Sequence, residues 1–240
     1  MRVALDASTE VGARAGRVLF AEDSVDYLGL IQPPLQAPTR RTGPAGDLAS
    51  YDVIVSDGTT PATDLVARAS VLGIPLVLWS DEPLLHRGPA AVPVIVGANL
   101  GSALSQALAQ HPSAGIVTGD VVTIAWTEPG SPLHKGTAIA FPDPLGVMWT
   151  RERSDQRFVA YTDGEWGGAV VSVTGDAGDR VIGVADHAAH LEALTLAATA
   201  LSAAYGAYEP DIQDAVNQSE QLMRKALTLE LEVAVWRSFA

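Results

Sequence analysis

The sequence predicts an α/β protein: an N-terminal parallel sheet covered by helices, then a C-terminal α+β unit with a mixed or antiparallel sheet. Three observations carry this expectation. As far as about His111, short and nearly all-apolar runs alternate with helical patterns, which is how parallel strands buried on both faces read. After Pro112 the strand patterns are separated by turn residues rather than helices, as in antiparallel sheets. An Ala- and Leu-rich helical stretch, His187 to Tyr205, follows. The expected division is therefore 1–115 and 116–240.

Taken in order, Arg2 to Ala7 reads as a strand, and Thr9 to Phe20 as a helix with Val11, Ala15, Val18 and Leu19 on one face. Val25 to Ile31 is a second strand, stopped by Gln32-Pro33-Pro34. The Pro-, Gly- and Thr-rich stretch Gln36 to Gly46 reads as a loop. Asp52 to Ser56 is a third strand, Ala62 to Leu72 a helix ended by Gly73, Pro75 to Trp79 a fourth strand, Pro93 to Gly97 a fifth, and Ser102 to Gln110 a helix. This alternation is Rossmann-like. Later strands are expected at Val121–Trp126, Thr137–Phe141, Gly146–Thr150, Phe158–Thr162, Ala169–Thr174 and Val181–Val184. Asp186 is the expected N-cap of the long helix and Gly206 its stop, with a further helix from Pro210 to Leu227. Leu229 to Trp236 alternates strictly and fits either a terminal strand or a continued helix.

Composition narrows the function. A net charge of −13 opposes binding to nucleic acid or anionic membranes. No apolar run approaches the roughly 20 residues of a membrane span. Met1-Arg2-Val3-Ala4-Leu5-Asp6 reaches charge too early for a signal peptide, so a cytoplasmic location is expected. With 0 cysteines, thiolate catalysis and cysteine-held metals are excluded. His187 and His190 share a helix face near Asp186 and Glu192, but no third ligand is spaced to join them, and no metal site is expected.

Several segments suggest a family. Asp6-Ala7-Ser8-Thr9-Glu10-Val11-Gly12 stands between the first strand and first helix. Asp52-Val53-Ile54-Val55-Ser56-Asp57-Gly58-Thr59-Thr60-Pro61 forms the third strand and its turn. Val94-Ile95-Val96-Gly97-Ala98-Asn99-Leu100-Gly101 ends the first half. With Lys135-Gly136-Thr137-Ala138, Asp186-His187-Ala188-Ala189-His190 and Gly206-Ala207-Tyr208, their order resembles the dihydrodipicolinate reductase family and its two-domain NAD(P)-dependent relatives. The resemblance implies a dinucleotide along the turn from Asp6 to Gly12, through Ser8, Thr9 and Val11, with Asp57, Thr59 and Asn99 on neighbouring loops. It also implies a small carbonyl, imine or acidic substrate between the domains, served by His134, Lys135, His187 or His190 as proton donor or anchor, and a homo-oligomer.

The sequence departs from that family where chemistry is concentrated. A dinucleotide turn uses its first two glycines for the tight turn and for close approach to the pyrophosphate. Asp6 and Thr9 replace them, and Gly12 remains. Asp6 is expected to aim its carboxylate at the phosphate position, where two unit charges ~4 Å apart repel by about 4 kcal/mol at an effective dielectric near 20. Gln32 stands where an acid would hold an NAD ribose, whereas Arg40 and Arg41 suit a 2′-phosphate, so NADP is expected over NAD. One His beside one Lys, His134-Lys135, does not reproduce the family's catalytic segment. Two readings stay open: an NADP-dependent oxidoreductase acting on a small molecule, and a non-catalytic binding or assembly protein that has lost the dinucleotide.

Overall fold

The computed structural model describes residues 1–31, 41–81, 90–176 and 178–236. The first half runs β1 (Arg2–Asp6), α1 (Glu10–Ala21), β2 (Tyr27–Leu30), β3 (Thr42–Pro44), β4 (Val53–Ser56), α2 (Ala62–Leu72), β5 (Leu76–Leu78) and β6 (Val94–Val96). A π-turn over Leu100–Leu104, the short α3 (Ser105–Ala107) and a 3-10 turn over Leu108–Gln110 follow. Next come β7 (Val121–Pro129), β8 (Thr137–Ala140), β9 (Val147–Ser154), β10 (Arg157–Thr162), β11 (Trp166–Thr174) and β12 (Arg180–His187). The chain closes with α4 (Ala188–Ala204), β13 (Ile212–Asp214), α5 (Ser219–Thr228) and β14 (Ala234–Trp236).

Two seven-stranded sheets result. The first is parallel throughout, in the order β13-β6-β5-β4-β1-β2-β3. Its direction of winding reverses between β1 and β4, and ligands of open α/β sheets bind in the crevice beyond the carboxyl ends at such a point. The second sheet, β14-β12-β11-β7-β10-β9-β8, is antiparallel except for the β7–β10 pair. Central strands of the first sheet are apolar on both faces, as β4 and β5 show, because helices cover both.

Helix α4 lies between the sheets and packs on α1, α5, β4, β5, β11 and β12. It is buried nearly all round, which its Ala-rich sequence permits by letting neighbours approach closely. Its buried hydroxyls are satisfied locally: Thr195 donates to Leu191 O, Thr199 to Thr195 O and Ser202 to Ala198 O. Val3, Leu5, Val171, Val184, Leu194 and Leu201 belong to one continuous core spanning both sheets. Among the described residues, no helix is long and apolar enough to cross a membrane.

Several local expectations are corrected. The expected Gln36–Gly46 loop contains β3, whose edge position tolerates Pro44; residues 32–40 lie outside the described part. The expected helix from Pro210 begins as β13, because the open edge of β6 supplies backbone partners that local propensity does not reveal. The helix expected over Ser102–Gln110 is a succession of π, α and 3-10 turns. Asp186 is the penultimate residue of β12, and His187 takes the cap position without a side-chain bond. The open case of Leu229–Trp236 resolves into an irregular stretch and then β14, paired antiparallel with β12.

Candidate functional site

The winding reversal brings the β1–α1 turn against the loop after β4. Thr9 caps α1 by accepting from Gly12 N at 3.2 Å. Asp57 then reaches across: its Oδ2 accepts from Ser8 N at 2.9 Å and Thr9 N at 2.7 Å. Its Oδ1 accepts from Thr59 N at 3.2 Å and Thr59 Oγ1 at 2.7 Å. The Ser8 and Thr59 hydroxyls also bond each other. A carboxylate from the protein itself therefore occupies two of the amides that frame this anion-binding turn. Gly12 makes room for it, since a Cβ there would stand 2.3 Å from Asp57 Oδ2.

Asp6 behaves differently from its expected role. It is fully buried and faces inward, its Oδ2 accepting from Ser56 Oγ and Thr60 N, both at 2.9 Å. Its Oδ1 is buried with no hydrogen-bond partner among the described residues. The anion at the turn is Asp57, and Asp6 ties the ends of β1 and β4 together beneath it.

A second feature is a cleft of about 410 Å³ between the sheets, at the carboxyl ends of β5 and β6 and against β7 and α4. Trp79, Trp126, Asp81, Glu128 and Glu192 all line it. Glu192 Oε2 accepts from Trp79 Nε1 at 2.9 Å and Leu100 N at 2.8 Å. Burial pushes its carboxyl above the usual carboxylate range; repulsion from Asp81 acts in the same direction, and the two hydrogen bonds act against both. Asp81 accepts from the Ser102 hydroxyl at 2.5 Å. Glu128 bridges Trp126 Nε1 at 3.1 Å and Arg153 at 2.7 Å. Asn99 closes the floor by capping the π-turn through Ser102 N and donating to Trp79 O at 3.0 Å.

The structure thus brings Asp6, Ser8, Thr9, Val11, Gly12, Asp57 and Thr59 together at one turn, and puts Asn99 at the cleft. Arg41 is elsewhere. It donates to Glu22 O at 3.1 Å and to Val25 O and lies over the Phe20 ring, at the end of α1 remote from the turn. Arg40 lies outside the described residues. His134 and Lys135 are exposed on the loop between β7 and β8. His187 stacks on Trp166 with ring centroids 4.7 Å apart, and His190 stands 3.8 Å from Asp186. None of these four lines the cleft. Among the described residues no group of His, Asp or Glu is placed to hold a metal. Sequence reasoning missed Asp81 and the inward role of Glu192. The signal for Asp81 was its place just beyond a strand's carboxyl end.

No family model matches the sequence, and no curated protein sequence matches it. Solved structures do. Dihydrodipicolinate reductase from Paenisporosarcina sp. TG-14, with dipicolinate bound, is 10% identical, with a TM-score of 0.51 over 90% of this chain and 98% of that one. The chain shares the dihydrodipicolinate reductase fold. The DAP dehydrogenase of C. glutamicum, in complex with DAP, gives 14% identity and a TM-score of 0.58 over 93% of this chain and 95% of that one. Homospermidine synthase from Legionella pneumophila, in complex with NAD, gives 9% and 0.59 over 99% and 91%. The resemblance read from short sequence segments therefore holds for the fold; of the neighbours, the homospermidine synthase is in complex with NAD and an engineered D-amino acid dehydrogenase is bound to NADP+.

Proposed function

We propose that this chain is a small-molecule-binding protein on the dihydrodipicolinate reductase fold, with the inter-sheet cleft as its ligand site and no dinucleotide at its first turn. The observation that carries this reading is the Asp57 carboxylate on Ser8 N and Thr9 N. A pyrophosphate over that turn would lose both donors and meet a fixed negative charge; at ~4 Å one such pair of charges costs about 4 kcal/mol. That is comparable to or larger than the benefit of a helix N-terminus, about 0.3–2 kcal/mol. The residues present do not fit the group. Arg41, tied to main-chain carbonyls at the far end of α1, gives a 2′-phosphate no support.

One observation favours the oxidoreductase reading. The amides of Glu10 and Val11, at the first positions of α1, have no acceptor among the described residues, and NADP could use them if Asp57 swung away. Thermal unfolding with about 1 mM NADPH or NADH decides between the two. A cofactor with a Kd near 10 μM would stabilise by about 2.7 kcal/mol, raising Tm by about 5–10 °C for a chain of this size. The expected result is no shift with either nucleotide. A saturable rise would refute the proposal and restore the oxidoreductase.

A further inference from the structure

The dipeptide Asp-Gly occurs twice in the sequence, at Asp57-Gly58 and Asp163-Gly164. The structure builds nearly the same turn at both. Gly58 N donates to Ser56 Oγ and Gly164 N to Thr162 Oγ1, each at 3.1 Å. Thr59 N donates to Asp57 Oδ1 and Glu165 N to Asp163 Oδ1, each at 3.2 Å. Both glycines stand at φ 90°, in the left-handed region. Neither turn is crowded: a Cβ on Gly58 would meet nothing within 4 Å, and one on Gly164 would stand 3.7 Å from Pro129.

The two turns differ in what else holds the carboxylate. Asp57 is 2% exposed. Beyond its local bond it accepts from Ser8 N, Thr9 N and the Thr59 hydroxyl. Asp163 is exposed, and among the described residues its side chain accepts only from Glu165 N.

This contrast bears on a reaction to which Asp-Gly pairs are prone, because glycine leaves its main-chain nitrogen unshielded by a side chain. That nitrogen attacks Cγ of the preceding aspartic acid in its protonated form. A C–N bond forms, the Cγ–OH bond breaks, and the OH leaves with the amide hydrogen as water. The product is a five-membered succinimide ring, which one solvent water reopens. When the bond from the nitrogen to the main-chain carbonyl carbon is the one that breaks, the chain continues through Cγ as isoaspartate. Nothing is oxidised or reduced, and solvent is the only co-reactant. Attack requires the carboxyl to leave its donors and swing over the glycine nitrogen. Asp163 gives up one hydrogen bond to do so, whereas Asp57 gives up four.

We infer that Asp163 is a site of isoaspartate formation in the folded protein, and that the amides of Ser8 and Thr9 protect Asp57 from the same reaction. The modified turn gains one main-chain carbon between β10 and β11. It lies directly before Trp166, which stacks on His187 at the head of α4. The three additional bonds on Asp57 are expected to make its reaction at least about tenfold slower than that of Asp163.

The test holds the full chain at neutral pH, well below its Tm, and follows both sites over weeks by peptide mapping. Electron-transfer fragmentation tells isoaspartyl from aspartyl peptides of equal mass. Isoaspartate is expected at Asp163 and at least about tenfold more slowly at Asp57. In denaturant the two rates should converge, because only the fold distinguishes the turns. Asp163→Glu, whose longer side chain does not close the five-membered ring, should abolish the product at that position. Gly12→Ala, which displaces Asp57 from the amides, should accelerate Asp57 in the folded chain; should that variant fold poorly, the folded and unfolded wild type still decide. Equal rates at the two sites in the folded protein would overturn the inference, as would faster reaction at Asp57. So would a preference for Asp163 that persists unchanged in denaturant, or a folded chain that forms no isoaspartate at Asp163.

Discussion

Gly12 is where adding one methyl group reports most directly on the Asp57 contact. In Gly12→Ala the new Cβ would lie 2.3 Å from Asp57 Oδ2, 2.9 Å from its Cγ and 2.8 Å from Ala7 Cβ. Asp57 must retreat and release the amides of Ser8 and Thr9. Hydrogen bonds to a charged group contribute about 1.5–3 kcal/mol each, partly recovered here because the turn is only partly buried and water can replace the carboxylate. Residual overpacking adds about 1–3 kcal/mol. Against this, alanine gains about 1 kcal/mol over glycine within a helix. The expected net loss is about 2–4 kcal/mol, or about 4–15 °C in Tm. Urea unfolding of the wild type, Gly12→Ala, Asp57→Ala and the double variant forms a cycle. In the Asp57→Ala background only the Ala7 contact remains, so the second methyl should cost under about 1 kcal/mol, leaving a coupling of at least about 1 kcal/mol. A Gly12→Ala cost that is the same in both backgrounds, or within about 0.5 kcal/mol of zero in the wild type, would refute the placement of Asp57.

Three further outcomes follow from the cleft. Because burial holds the Glu192 carboxyl above its usual range, the folded state keeps its proton to higher pH than the unfolded state. Its effect is therefore most favourable below the unfolded value and becomes a penalty as pH rises through the folded one. Glu192→Gln should accordingly gain stability relative to wild type as pH rises above the usual carboxylate range; a flat or shrinking difference in denaturant unfolding would contradict this. Trp79→Phe removes the indole N–H from Glu192 and should cost about 1–3 kcal/mol, more at neutral than at acid pH, by the same measurement. Gly101→Ala should push the Trp126 indole off its seat, shift Trp emission and lower stability by about 1–3 kcal/mol; an unchanged spectrum would show that Trp126 does not rest there.

The fold was legible because burial on both faces writes itself into strand composition. Val53-Ile54-Val55 and Leu76-Val77-Leu78 read as covered parallel strands without knowledge of partners. The edges were less legible. β3 and β13 are three-residue strands whose existence depends on free edges of β2 and β6, a long-range condition that local propensity does not carry. At the turn, the loss of two glycines was plain in the sequence, but the residue supplying the anion was not. Asp6 is adjacent in sequence and turns inward, whereas Asp57 lies 48 and 49 residues from the amides it caps. Glu192 was read as one of several polar residues at a helix start, although the helix places it against Trp79, 113 residues away in the chain. Exposed His134 and Lys135 were conspicuous by residue type alone.

Calorimetric titration of NADPH into the wild-type chain at about 0.15 M salt tests the central claim most directly, since screening there limits the long-range repulsion between an anionic nucleotide and a chain of net charge −13. With Asp57 on Ser8 N and Thr9 N, the expected result is no saturable heat up to about 1 mM, where a Kd of 10 μM would give about 99% occupancy. Saturable binding at submillimolar NADPH would contradict the account and show that the Asp57 carboxylate yields its place to the pyrophosphate.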